Sequence, residues 1–427
     1  MKWVLGILFA AAVAMLVWRS MPEPEAVGKT TIRYMAWGNP EQLAAEMELV
    51  AEFERRNPHI RVKLTLVPGS AYYQKLQIML ASGTAPDVFR CDRYQFPAYA
   101  HRGYFMPLTE FIANDPEFRT EDYFENTIRE GSYNGQFYGP NVLFGSRVIY
   151  YNKTAFEEAG LEDPYVQYKR GEWTLEQFLE ASEKLTKFDE RGVPTHFGVV
   201  INVLDAWTFI WGFGGDILTP DGSRCVVDSP QAVEALQFMQ DLIHKYHVTP
   251  SAAEGAMNAF TFESGRVAML FNWAGQAPIY RTIRDFQWDV VPVPACRAGR
   301  ISMIKGNQLL MYYRTEHPRE AWEFMKFYVS RDGEKILCTR LRRGMPTRKD
   351  VASMPEYLQS TQPPFHNDVW VDQYKFGREL PITDRWAHWQ REWNMRFELL
   401  MLNRESASDM ARTAQQNINA ILAEEPF

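Results

Sequence analysis

The spacing of apolar residues changes twice between Thr31 and Leu66, marking out a strand, a helix and a second strand. Thr31-Ile32-Arg33-Tyr34-Met35-Ala36-Trp37 is a run of β-branched and aromatic residues stopped by Gly38-Asn39-Pro40, as in a strand that ends in a loop. From Glu41 the apolar positions Leu43, Met47, Val50 and Ala51 recur at i, i+4, i+7 and i+8, the stripe of a helix lying on a core. Arg55-Arg56-Asn57-Pro58 ends that helix, since proline disfavours helical geometry in the residue before it. Ile60, Val62, Leu64 and Leu66 then alternate with Arg61, Lys63 and Thr65, the period of a strand with one face buried. Two strands joined through a helix cross over and lie parallel, and ligands in such sheets bind beyond the carboxyl ends of the strands. Trp37 stands at such an end.

The same reading carries on along the chain. Ala71 to Ser82 is helical by Leu76, Met79 and Leu80 and is closed by Gly83; Thr84 to Phe89 opens a strand with Asp92-Arg93-Tyr94 at its far end. Asn134-Gly135 between aromatic residues predicts a hairpin. Val148-Ile149-Tyr150-Tyr151 reads as a buried strand leading into a helix at Asn152-Lys153. Thr174-Leu175-Glu176-Gln177 reads as a capping box, and Ser229-Pro230 opens a helix running to His247. Phe262 to Arg266 turns into the strand Val267 to Phe271, which ends at Asn272-Trp273, and the last helix carries Ala407, Ala411, Ala414, Ile418 and Ile421. Strands alternating with helices predict an α/β protein.

At 427 residues the chain exceeds one typical core, so two domains are expected. A net charge of -7, from 46 basic and 53 acidic residues with no long basic run, argues against a nucleic-acid partner. Aromatic residues make up 14%, with 13 Trp and 20 Tyr, which suggests aromatic surfaces used for more than packing. Cys91, Cys225, Cys296 and Cys338 show no Cys-x-x-Cys spacing, so no zinc site is expected, while one or two disulfides stay open. Lys2, the uncharged run Trp3 to Trp18 and Arg19 form the start of an export signal. Ala12-Val13-Ala14 lies inside that run and no cysteine follows it, so residues 1–29 are expected to be a signal peptide or an uncleaved anchor with a tether.

A set of short markers, in order, resembles the extracellular solute-binding proteins of sugar-type ABC importers, the group that includes maltose-binding protein and the glycerol-3-phosphate binder. They are Tyr73-Gln74-Lys75-Leu76, Ala81 to Val88, Tyr133-Asn134-Gly135-Gln136 with Tyr138-Gly139, Tyr151-Asn152-Lys153, Ala159-Gly160-Leu161 and Trp173-Thr174. Phe213-Gly214-Gly215, Gly265-Arg266-Val267-Ala268-Met269, Ala321-Trp322-Glu323-Phe324 and Gly344-Met345-Pro346-Thr347-Arg348 complete the set. The resemblance implies a two-lobed periplasmic-binding-protein fold with a ligand cleft between lobes joined by hinge strands. By that resemblance Phe144 to Arg147 and Ile304 to Gln308 are hinge crossings, so residues 30–144 with 308–348 form lobe 1 and residues 145–307 with 349–427 form lobe 2. It further implies a carbohydrate ligand, membrane permease subunits as partners, no cofactor, a monomer, and a periplasmic or extracytoplasmic location.

A sugar offers apolar C–H faces and a rim of hydroxyls, so its site needs flat aromatic platforms with fixed donors and acceptors. Trp37 and Trp273 end strands, and Trp207 and Trp211 precede Gly214-Gly215. The resemblance implies stacking roles for Trp273 and the segment holding Trp386 and Trp389, and hydroxyl-binding roles for Asp92 and Arg93, with Tyr94 and Asn272 beside them. Each tryptophan weighs against the default of core packing. Glycerol-3-phosphate is the alternative ligand, with Arg93 or Arg147 as a phosphate fork. An exported carbohydrate-active enzyme or a sensory binding protein is the alternative of another class. Against an enzyme, there is no Gly-x-Ser-x-Gly elbow or phosphate loop, and His244 and His247 lack the glutamate of a zincin; paired carboxylates for glycoside hydrolysis stay open.

Overall fold

The computed structural model describes residues 28–38, 40–255, 259–340 and 344–424, so the export segment up to residue 27 lies outside the described residues. Strands β1 (Thr30–Trp37) and β2 (Ile60–Val67) pair in parallel through the helix Pro40–Arg56, as the spacing requires. The helix Gly69–Ser82 leads to β3 (Val88–Asp92) on the other side of β1, and Gly83 closes it in the left-handed region at φ 75°. Strands β4 (Ser132–Tyr133) and β5 (Gln136–Phe137) make the expected hairpin, with φ of 49° at Asn134 and 76° at Gly135.

The remaining strands are β6 (Asn141–Asn152), β7 (Lys187–Phe188), β8 (Pro194–Val200), β9 (Val267–Trp273), β10 (Trp288–Val291), β11 (Ser302–Met311) and β12 (Gly377–Glu379). They join β1, β2 and β3 in a mixed sheet of order β2-β1-β3-β11-β6-β9-β8-β7, with β10 also on β6 and β12 on β11. Two long strands hold its halves together. The end of β11 from Asn307 pairs with β3 and its start pairs with β12, while β6 pairs with β11 up to Ser146 and with β9 from Arg147. The β6–β11 register shifts between Lys305 and Asn307. Gly306 sits at that shift because a Cβ there would lie 2.2 Å from Asn141 Oδ1.

One core gathers Ile149, Trp173, Phe209 and Phe271 around β8 and β9. A second packs Ile32, Tyr34, Phe53 and Phe324 on one face of β1, and a third packs Met35, Tyr72, Phe89 and Cys91 on the other. The helix Asp368–Phe376 bridges them. Its Tyr374 stacks on Phe124 at 3.7 Å, and its Asp368 and Asp372 accept the hydroxyls of Tyr165 and Tyr168.

Some local expectations are corrected. The Thr174 hydroxyl donates to the Glu176 and Gln177 side chains and takes no backbone N–H, so the reciprocal capping box does not form. The helix Pro230–His244 stops three residues short of His247, which adopts φ 53° and cannot continue it. No disulfide joins any of the four cysteines, all of which lie among the described residues. His244 Nε2 lies 2.9 Å from the Met401 carbonyl, and no group of three metal-ligating side chains occurs among the described residues. No described helix is long and apolar enough to cross a membrane.

Candidate functional site

A pocket of about 170 Å³ opens between the carboxyl ends of β1 and β9, with Trp37 and Trp273 in its wall. Phe144 and Gly145 of β6, Lys305 and Asn307 of β11, and Arg90 of β3 complete most of the lining. Gly145 brings the backbone close to Trp273, whose Cε3 would lie 3.6 Å from an added Cβ. The pocket therefore sits on the two strands that the halves share. A wider depression of about 570 Å³ lies between the helices Thr109–Ala113 and Pro318–Tyr328. Its Lys326 is already held by Asp115 and Glu117, at 2.9 and 3.0 Å, and no strand ends there.

Each pocket tryptophan carries a cation. The Arg90 guanidinium lies 4.4 Å from the Trp37 ring centroid, donates to the Trp37 carbonyl at 2.6 Å and pairs with Glu46 at 2.9 Å. Lys305 Nζ lies 5.1 Å from the Trp273 ring, 4.4 Å from the Tyr94 ring and 2.5 Å from Asp92 Oδ2. Burial opposes the Lys305 charge, but Asp92 and Tyr94 outweigh it and raise its pKa. Arg147 lies 5.6 Å from Trp273 and binds Asp205 through Nε at 2.9 Å, with both side chains at most 2% exposed. Such contacts fix the tilt of the rings and the placement of the charges together.

The other expected residues lie apart from this pocket. Tyr94 stacks on Trp386 at 4.9 Å and 11°, its hydroxyl buried without a partner, and burial raises its pKa to about 12. Trp386 leans on Trp207 and Trp389, and Trp207 on Trp211, in an interior cluster where no ring is more than 2% exposed. Trp211 donates to Asp216 at 2.9 Å and is covered by Arg378. These four tryptophans are thus placed as core, with no free face in the pocket. The Asn272 side chain donates to the Tyr280 hydroxyl at 2.8 Å and accepts from the Trp273 N–H, which uses both of its ends. Arg93 lies over Phe96 at 5.7 Å and makes no ion pair among the described residues.

Arg147 is expected from sequence only as a phosphate fork, and Arg90, Lys305 and Glu130 are not expected as site residues. Arg90 could have been found, because it shares a strand face with Asp92 two positions on. A lysine inside the β11 crossing was a second available signal. Glu130 gave none, since its role depends on Gly306, 176 positions away. Its carboxylate is fully buried, accepts the Gly306 N–H at 2.7 Å through Oε2, and leaves Oε1 without a partner.

Burial pushes the Glu130 pKa from 4.5 to about 8, with Arg93 pulling it down and Glu379 pushing it up. The folded state thus holds a proton that the unfolded chain releases, so the contribution of Glu130 to stability is full below about 4.5 and is lost as pH rises through about 8. Glu334, raised to about 7 by burial, acts in the same direction. Melting temperatures of Glu130→Gln across that window are therefore expected to fall less steeply with pH than those of the parent. An identical slope would assign the proton to another group.

Two α/β halves sharing long strands, with an aromatic and charged pocket where strands from both halves end, define a two-lobed binding protein. The model of the bacterial extracellular solute-binding protein family matches residues 37–335, and the chain belongs to that family. It is 25% identical over 369 residues to a putative binding protein of Brucella abortus, covering 84% of each chain. It is 23% identical over 355 residues to the arabinooligosaccharide-binding protein of Bacillus subtilis, covering 78% of this chain and 77% of that one. Among solved structures, an ABC substrate-binding protein from Listeria monocytogenes in complex with cycloalternan superposes with a TM-score of 0.82 at 25% identity, over 93% of this chain and 100% of that chain. The cyclic alpha-maltosyl-1,6-maltose binding protein of Arthrobacter globiformis gives 0.78 at 22% identity, over 92% and 99%.

Proposed function

We propose that this chain is the substrate-capture subunit of an ABC importer for a sugar or oligosaccharide. The observation that carries the reading is the pair Trp37 and Trp273 facing one pocket at strand ends, with the donors of Arg90 and Lys305 and the amide of Asn307 between them. Both halves of the chemistry are needed. Aromatic contacts add about 0.5–1.5 kcal/mol each beyond burial, whereas micromolar affinity takes about 8 kcal/mol, so charge-assisted hydrogen bonds of roughly 1.5–3 kcal/mol each supply much of the remainder. The carbohydrate ligands named for relatives support a sugar over a glycerol phosphodiester.

In this reading, residues 30–144 with 308–348 and residues 145–307 with 349–427 are the lobes, and β6 and β11 are the hinge. A ligand touching both lobes binds the closed state better and shifts the population toward it. Parting of the lobes frees the Trp386 face that Tyr94 covers and adds that ring to the platforms, while Trp207, Trp211 and Trp389 stay in the core behind it. Asp92 acts through Lys305, which it holds in the pocket wall. The monomer is exported, held near the membrane by its N-terminal segment, read by permease subunits when closed, and releases its sugar unaltered.

A thermal-shift screen of the chain from Glu25 onward against mono- and oligosaccharides tests the proposal. Binding to the folded state alone adds about 2.7 kcal/mol at a hundredfold excess over Kd, a clear rise in melting temperature. No shift with any sugar would remove the sugar reading.

A further inference from the structure

We infer that the captured saccharide carries an anionic group, held where Arg90 and Lys305 meet between Trp37 and Trp273. The inference rests on the capture reading above and narrows its ligand class. Two cations line this pocket and no carboxylate does, among the described residues. Each is already paired with a carboxylate outside the lining: Glu46, which pairs with Arg90, is fully buried, and Asp92, which holds Lys305, has 16% of its side chain exposed. Arg147 repeats the arrangement behind Trp273, with Asp205 fully buried. In all three pairs the cation lies against Trp37 or Trp273, and none of the three carboxylates lines the pocket.

Two further facts support an incoming acceptor. Arg90 is 1% exposed, and its Nε is buried with no hydrogen-bond partner. A buried guanidinium N–H without an acceptor is costly, and a ligand oxygen relieves it. Lys305 Nζ donates one hydrogen bond, to Asp92, leaving donor capacity on an ammonium that carries three protons. A neutral sugar would leave this donor surplus to hydroxyl oxygens, which also bring donors of their own; a carboxylate or sulfate brings acceptors only.

Titration calorimetry with matched pairs tests this: galactobiose with digalacturonate, cellobiose with cellobiuronate, and galactobiose with its sulfate ester. The acidic member of one pair is expected to bind about tenfold more tightly or better, and to weaken with added salt while its neutral partner does not. Lys305→Met should remove most of that preference and Lys305→Arg should keep it, which separates charge from loss of folding. Preference for the sulfate over the uronate names the anion. Equal or tighter binding of every neutral member overturns the inference and leaves sugar capture standing. Binding of no saccharide at all overturns both.

Discussion

Replacing Arg147 with methionine is expected to lower stability by about 3–5 kcal/mol, the usual effect of breaking a buried ion pair from one side. Arg147 and Asp205 are both at most 2% exposed, and the Arg147 guanidinium also donates to the Phe271 carbonyl at 2.9 Å. Without it, the Asp205 carboxylate keeps the Asn202 N–H at 2.7 Å and no cation to match its charge. Burial already pushes the Asp205 pKa up against the pull of Arg147, so the variant should take up a proton there. Adding Asp205→Asn should recover part of the loss, because the second change removes the unmatched charge. Urea unfolding of the three proteins measures this, and a midpoint for Arg147→Met equal to that of the parent would show that the pair does not hold β6 to the helix Asp205–Gly212.

The second large effect falls on binding. Trp273→Ala should weaken sugar affinity at least about tenfold, or roughly 1.4 kcal/mol, with the circular dichroism spectrum and melting curve nearly unchanged. Trp273 is only half-buried, so little core is lost with it, and it lines the pocket under two cations. Losing its ring removes stacking of about 0.5–1.5 kcal/mol and apolar contact worth about 25 cal/mol per Å². The same substitution would loosen Lys305 and Arg147, which makes the estimate a lower bound. Unchanged affinity would take Trp273 out of the site.

Local pattern made the strands and helices legible. The unit from β1 to β2 and the Asn134-Gly135 hairpin follow from residue spacing alone, because period and turn chemistry act over a few residues. The end of β1 pointed to Trp37, and the end of β9 to Trp273, since the carboxyl end of a strand is a position that sequence can specify. What sequence could not give is which partners arrive from elsewhere. Trp207, Trp211, Trp386 and Trp389 read as platforms, yet they pack on one another across nearly 180 positions of chain in an interior cluster. Asp92 was visible, but Lys305, 213 positions away, was needed to see that its carboxylate is already paired. Glu130 at Gly306 is the extreme case, a carboxylate whose properties come chiefly from burial beneath a register shift.

The hinge on β6 and β11 is the centre of the account, and small-angle X-ray scattering of the chain from Glu25 onward, free and saturated with the sugar found by the screen, addresses it most directly. Capture by closure predicts a smaller radius of gyration with ligand, and the same sugar recovered unaltered after the protein is denatured. An unchanged radius at saturation, or a cleaved sugar in the supernatant, would contradict it.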